Sequence, residues 1–514
     1  MIGIKKYNKS IITGMLFLAV LSHAGVLAQQ TVTGHVYIDK NRDGQRSSSE
    51  KGLARVGVSN GRQIFLTDSK GRYELPIDDD DIIFVIKPRD YMTPVNENNI
   101  PQFYYIHKPA GSPKDLKGLG IKPTGPLPES VDFALYKRPE KNRFSVIYFG
   151  DPQPGNIDEV NIMTYDVIEE LIGTKDAVFG VSLGDLAEEN VSEEFDQSIG
   201  MIGLPWYNVI GNHDHYEVDP AASTNEIADD RFQRRYGPAT YSFNYGPVHF
   251  IMIDNITAVW DEESSNSTYW AQYTEETLEF IKNDLSLVPK NNLVVLMFHI
   301  PYPDGNSEDV FALLKDRPNT LSLAGHGHEL IQWFIGKDQG WPNDNEHHHI
   351  EAGAICGIHW LGPTDEYGIP TATMHCGSPN GYVSVHFDGN KYRTTFKAAR
   401  RDADFQMHIF APSEIKSAES ADTEVMVNVF WGNEKSVTEM KIGEDGKWTK
   451  MERQVRQDPY LVSTVPSGHP LGNVEHMWVA KLPPNIPLGT QVMYFRSKDM
   501  YGQMTYDKRV IRVK

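Results

Sequence analysis

From residue 30 onward the chain opens with short β-branched and aromatic runs at 35–38, 56–58, 64–66 and 82–86, cut by turn signals at 41–44, 60–61 and 68–71. Runs of that length bounded by Asn, Asp, Ser and Gly predict strands joined by tight turns, and hence a small β-sandwich over 29–138. Residues 108–129, rich in Pro, Gly and Lys, read as a connecting loop. The pattern then changes. Near-continuous apolar runs at 144–149, 177–181, 206–210, 248–253, 293–298 and 321–324 predict strands buried on both faces. Helical patterns lie between several of them, one carrying Ile162, Val167, Ile168 and Leu171 and another over 275–287. Strands alternating with helices predict a layered α/β domain over 139–398. Beyond it, runs at 424–431, 476–482 and 491–495, with turns such as Glu444-Asp445-Gly446, predict a second β-sandwich over 399–514. The expected fold class is α/β with two β-sandwich flanks.

The first segment reads as an address. Lys5, Lys6 and Lys9 precede an apolar stretch over 11–20, and Val26-Leu27-Ala28 places small side chains at a cleavage position. This predicts a secretory signal peptide over 1–28. The alternative, a membrane anchor, has an apolar run short of the ~20 residues a span needs. The expected location is the periplasm or the exterior, with no transmembrane anchor.

Charge narrows the function classes. Lys and Arg total 49 against 69 Asp and Glu, a net charge of -20. Stable nucleic-acid binding is not expected, because a grip on phosphates needs a basic face. Two cysteines are too few for a disulfide scaffold or a zinc ribbon. In an exported chain, Cys356 and Cys376 favour a disulfide over two free thiols.

The chemistry lies at the ends of the middle strands. There follow in turn Gly150-Asp151-Pro152-Gln153, Gly184-Asp185, Gly211-Asn212-His213-Asp214, His299 and Gly325-His326-Gly327-His328. In open α/β sheets such ends face the ligand crevice. Carboxylates and imidazoles together suit divalent Mn, Fe, Zn or Ni. A carboxylate at Asp185 has enough lone pairs to bridge two ions. Such a pair clamps both ends of a phosphoryl displacement.

These five motifs, in this order, resemble the calcineurin-like metallophosphoesterases over 139–398. The resemblance implies a four-layer α/β/β/α core that hydrolyses phosphate mono- or diesters, small or polymeric, by attack of a metal-bridging hydroxide. It implies one ion on Asp151, Gln153, Asp185 and His328, and a second on Asp185, Asn212, His299 and His326. It also implies that His213 meets the leaving oxygen and that Asp214 orients His213. Gln153 stands where the family usually has His, which touches metal identity first. Gly184-Asp185 is followed by Leu186-Ala187-Glu188-Glu189, without the Tyr that purple acid phosphatases use for ferric iron. The alternative function is a surface interaction or glycan-binding protein built on the same fold.

Secondary signals remain open. Asp39, Asn41, Asp43 and Glu50 fit the spacing of a structural Ca²⁺ loop, or an Asx-rich turn without an ion. His347-His348-His349 reads as a polar strand start, or as one ring near the metals. Trp360, His359, Tyr367 and the 255–270 segment are candidates for shaping the pocket. Arg231, Arg234 and Arg235 are placed for a phosphate contact, or on a solvated helix face.

Overall fold

In the computed structural model, which describes residues 30–113, 120–215, 225–261, 265–465 and 471–514, the strand Arg143–Phe149 explains the layering. Its alternate side chains enter two different cores. Phe144, Val146 and Tyr148 join one apolar cluster, whereas Ile147 and Phe149 join another with Val160, Met163 and Phe195. A strand buried on both faces reads as an unbroken apolar run. The expected signal peptide lies outside the described residues.

Two sheets face each other across the first cluster. One has the order Trp206–Asn208, Phe179–Ser182, Arg143–Phe149, Gly381–Asp388, Lys391–Ala398. Its first three strands are parallel and its last two antiparallel. The other has the order Tyr241–Tyr245, Val248–Met252, Leu293–Met297, Thr320–Ala324, His347–Ala352, Leu330–Ile335, with its four inner strands parallel. Helices cover the outer faces. Ile157–Met163 is capped by Asn156, whose side chain accepts the Glu159 N–H, and it packs with Ser192–Gly200 on the first sheet. Glu275–Leu287, capped by Thr274, seats Phe280, Ile281 and Leu285 on the second. The expected four-layer core is present.

The flanks are pairs of sheets. The N-terminal pair has four strands in each sheet, and the C-terminal pair has four and five. Buried polar contacts join the N-terminal sheets to the core. Lys108 Nζ bonds to Asp230 Oδ1 at 2.9 Å, and Lys87 Nζ to Glu140 Oε1 at 2.6 Å and to the Asn244 carbonyl. On the C-terminal side, Trp431 Nε1 donates to Thr394 Oγ1 at 3.1 Å and Asn428 Nδ2 to the Cys376 carbonyl at 3.0 Å. In the 39–50 loop, Asp39 accepts the Arg42 and Gly44 N–H groups, and Glu50 those of Lys40 and Ser47. Asn41 donates to Asp43.

Three expectations are corrected. Cys356 and Cys376 are buried and unbridged, because they belong to the two different cores. Cys376 Sγ accepts the Leu330 N–H at 3.3 Å, and Cys356 Sγ donates to the Gly357 carbonyl at 3.4 Å. His347, His348 and His349 form a strand buried along its length. Hydroxyls of Thr320 and Ser322 satisfy ring nitrogens, and Trp341, Phe334 and Trp333 stack on the three rings. Arg231, Arg234 and Arg235 are not a solvated face. Arg231 donates to the carbonyls of His213 and Ala187, Arg234 pairs with Glu189, and Arg235 with Asp196.

Candidate metal centre

Parallel strands turn the motifs toward one crevice. Asp151 and Gln153 follow Arg143–Phe149, Asp185 follows Phe179–Ser182, and Asn212 follows Trp206–Asn208. From the facing sheet, His299 follows Leu293–Met297, and His326 and His328 follow Thr320–Ala324. The structure brings these seven side chains together. One nitrogen or oxygen from each of Asp185, His299 and His326 lies within 4.8 Å of the others.

The backbone is bent to achieve this. Asp151, Gln153, Asp185, His326 and His328 all have positive φ, at 38°, 41°, 51°, 77° and 54°. Such a conformation costs about 1–3 kcal/mol per residue for non-glycine side chains. It persists only where surrounding contacts fix it. Here Gln153 N–H donates to the Asp185 carbonyl at 3.1 Å, and His326 N–H to the Asp151 carboxylate at 2.9 Å. The Gly184 Cα lies so close to His299 that a Cβ there would fall 2.3 Å from Nδ1.

Ring orientations are set from behind. His299 Nδ1 donates to the Leu183 carbonyl at 2.8 Å, which leaves Nε2 facing Asn212 Oδ1 at 3.0 Å and Asp185 Oδ2 at 3.2 Å. His328 Nδ1 donates to the Gly357 carbonyl at 2.6 Å and turns Nε2 toward Asp151, 3.7 Å away. Such backing bonds fix a ligating tautomer. His326 Nδ1 lies 3.0 Å from Asn212 Oδ1 and 3.3 Å from His299 Nε2. Gln153 Nε2 donates to Asp185 Oδ2 at 2.7 Å, while its Oε1 is buried without a partner.

The electrostatics ask for a cation. Burial pushes Asp151 up to about 8, against the pull of a charged His299. Burial opposes the charge on Asp185 as well, but His299 holds it well below the usual carboxylate range. Burial alone would lower His299, yet Asp185 raises it to about 10. Burial, reinforced by the His299 charge, takes His326 down to about 4. The acids thus draw one positive charge onto His299. A divalent ion meets the same demand, and the orphaned Gln153 oxygen and free ring nitrogens are suitable donors. The residues present fit a pair of borderline divalent ions.

His213 and Asp214 lie apart from the seven. His213 is exposed at the rim, and its N–H donates to Asp185 Oδ1 at 2.9 Å. Asp214 does not reach the His213 ring among its described hydrogen bonds. Its two oxygens take the N–H groups of Leu186 and Gly211 at 3.0 and 2.8 Å. Asp214 therefore braces the loop backbone. Tyr269, Ile358, His359 and His375 complete a pocket of about 270 Å³. Tyr269 stands on the hairpin Ile256–Asp261/Asn266–Ala271, edge-on to His326 with centroids 6.2 Å apart. Of the candidates for shaping the pocket, Trp360 is buried against Asp166 and Tyr367 is exposed outside it. His375 carries no signal in the sequence. Asn255, whose Oδ1 takes the N–H groups of His299 and Ile300 at 3.2 Å, is readable only as part of its loop.

Three family models match in succession. The N terminal of calcineurin-like phosphoesterase matches residues 40–117, the calcineurin-like phosphoesterase itself 144–330, and its C terminal 347–505. The chain belongs to the calcineurin-like phosphoesterase family. At family level that makes it a metal-dependent phosphoester hydrolase. The C-terminal match begins inside the six-stranded sheet, at the strand His347–Ala352. No curated protein matches the chain. Among solved structures, purple acid phosphatase PPD1 from yellow lupin (Lupinus luteus) is similar at 13% identity and a TM-score of 0.34, over 72% of this chain and 66% of that one. Vps29 from Chaetomium thermophilum is similar at 8% identity and a TM-score of 0.19, over 72% of this chain and 98% of that one. These scores are too low to bear on function. Among the described residues, no helix is long and apolar enough to cross a membrane.

Proposed function

We propose that this chain is an exported dinuclear-metal phosphoesterase that hydrolyses phosphate mono- or diesters in the crevice between its two central sheets. The convergence of seven ligand-capable side chains, five of them at strained positive φ, carries the reading. Bound there, two divalent ions supply a water of lowered pKa and positive charge for the phosphoryl oxygens. Asp151, Gln153, Asp185 and His328 would hold one, and Asp185, Asn212, His299 and His326 the other. The bonds from Leu183 and Gly357 keep the His299 and His328 rings aimed inward. His213, at the rim and outside the ligand set, meets the oxygen of the departing alcohol and gives it a proton. Arg231 and Asp214 fix the loop that presents it. Export rests on the 1–28 segment, and N-terminal sequencing of the mature protein tests it.

The test is hydrolysis of bis(nitrophenyl) phosphate and nitrophenyl phosphate with added Mn²⁺, with and without chelator. Chelator-sensitive turnover of either ester is expected. Metal uptake without turnover of any ester in a wider panel would favour a binding protein on the same fold.

A further inference from the structure

One wall of the pocket is a turn with unusual backbone. Gly357, His359 and Trp360 all have positive φ, at 57°, 51° and 50°. Side chains disfavour that region, and a bulky one such as Trp most of all. Contacts on every side keep the turn from relaxing. Trp360 is buried, with its N–H on the Cys356 carbonyl at 3.0 Å and its Nε1 on Asp166 Oδ2 at 3.3 Å. Ile358 is buried too, and its N–H donates to the Thr373 carbonyl at 2.9 Å. The Gly357 carbonyl accepts from His328 Nδ1 at 2.6 Å.

Of the residues 357–360, His359 alone is exposed. Its ring lines the pocket, with its centroid 5.6 Å from that of His328. No hydrogen bond to a described residue engages either ring nitrogen. Strain kept beside a reactive centre points to a task for the side chain it presents. The other polar groups of the wall have theirs. Gln153, Asp185, Asn212, His326 and His328 belong to the proposed ligand set, and His213, next to Asn212 in the chain, faces the departing alcohol. His359, next to His328 in space, is left for the phosphate itself. An imidazole has an N–H to give whether neutral or charged, and a bond from it to a charged oxygen is one of the stronger kind.

We infer that His359 is a further catalytic residue, which donates a ring N–H to a phosphoryl oxygen of the bound ester. This rests on the phosphoesterase reading above and deepens it. His359 falls outside the 144–330 match and inside the C-terminal one, 347–505, so residues of the latter complete the site. A bond to a phosphoryl oxygen has the same worth whatever alcohol departs, which separates His359 from His213.

The experiment compares wild type with His359→Ala, His359→Gly and His359→Gln, each loaded with Mn²⁺ and checked for metal by elemental analysis. kcat/KM is measured on nitrophenyl and phenyl esters, as mono- and diesters, and binding of inorganic phosphate by calorimetry. His359→Ala should lose about tenfold to a hundredfold on nitrophenyl and phenyl esters alike, and bind phosphate about tenfold more weakly. His359→Gln, which keeps an N–H, should recover most of both losses. Glycine adopts positive φ freely, so His359→Gly should keep the wild-type urea midpoint while showing the same losses as His359→Ala. Wild-type kcat/KM and phosphate binding in a metal-replete His359→Gly or His359→Ala protein overturn the inference and leave the phosphoesterase reading standing. A loss confined to phenyl esters also overturns it, since it places His359 on the leaving group. A wild type that hydrolyses none of these esters overturns both.

Discussion

Gly211→Ala is a one-methyl test of the metal centre. Gly211 has φ of -112°, which alanine adopts freely, so backbone strain plays no part. The added Cβ would lie 2.1 Å from Asp185 N and 2.3 Å from Asp185 Oδ1. Ordinary contact lies at about 3.5 Å, so the two loops must part by about 1 Å. Asp185 cannot yield alone, because Oδ1 takes the His213 N–H at 2.9 Å and Oδ2 the Gln153 amide at 2.7 Å. A displacement of that size at a reacting centre costs about 10²-fold in rate. The overpacking costs about 1–3 kcal/mol of stability. The assay is Mn²⁺ titration with elemental analysis, alongside kcat on the aryl diester and circular dichroism for the fold. Gly155→Ala is the control, since its Cβ would meet nothing closer than 3.4 Å. A folded Gly211→Ala protein with full metal and wild-type kcat would refute the reasoning that Asp185 is wedged against this loop.

His213→Asn should keep both metals and lose about 10²–10⁴-fold on alkyl esters, but less on nitrophenyl esters, whose leaving group needs no proton; equal losses on the two would exclude leaving-group protonation. Lys108→Met leaves Asp230 buried beside Ser112 without its cation, and should lower stability by about 3–5 kcal/mol, read as the urea midpoint. Burial holds His347 and His348 near 3, below the unfolded value of 6.5. Their contribution to stability is thus complete above about pH 6.5 and is lost as pH falls toward 3. Urea unfolding between pH 7.5 and 5 should show that loss less steeply in His347→Gln. Thiol titration should find no reactive cysteine in the native protein and two after denaturation, with no mass change on reduction.

The order of the motifs was enough to pick out the seven side chains that the fold gathers, because each follows a strand whose unbroken apolar run is visible in the sequence. Arg143–Phe149 is the clearest case, since both of its faces are buried. What stayed hidden depends on packing between distant segments. Nothing in the sequence shows that Cys356 and Cys376 enter different cores. His347–His349 looks polar until Trp341, Phe334 and Trp333 are seen against the rings. The arginines of 231–235 carry a surface pattern, and only tertiary contacts reveal their acidic and carbonyl partners. Asp214 shares a motif with His213, but local geometry turns its carboxylate onto backbone N–H groups. His375 reaches the pocket from a loop whose sequence carries no metal-site signal, whereas Tyr269 lies in the 255–270 segment already named as a candidate for shaping it.

Asp185 is the one side chain proposed to serve both ions. Elemental analysis of Asp185→Asn, folded and loaded alongside wild type, tests it most directly. Two equivalents of divalent metal are expected per wild-type chain, and a loss of bound metal together with hydrolysis in the variant. Two full equivalents in a folded, inactive Asp185→Asn protein would contradict it.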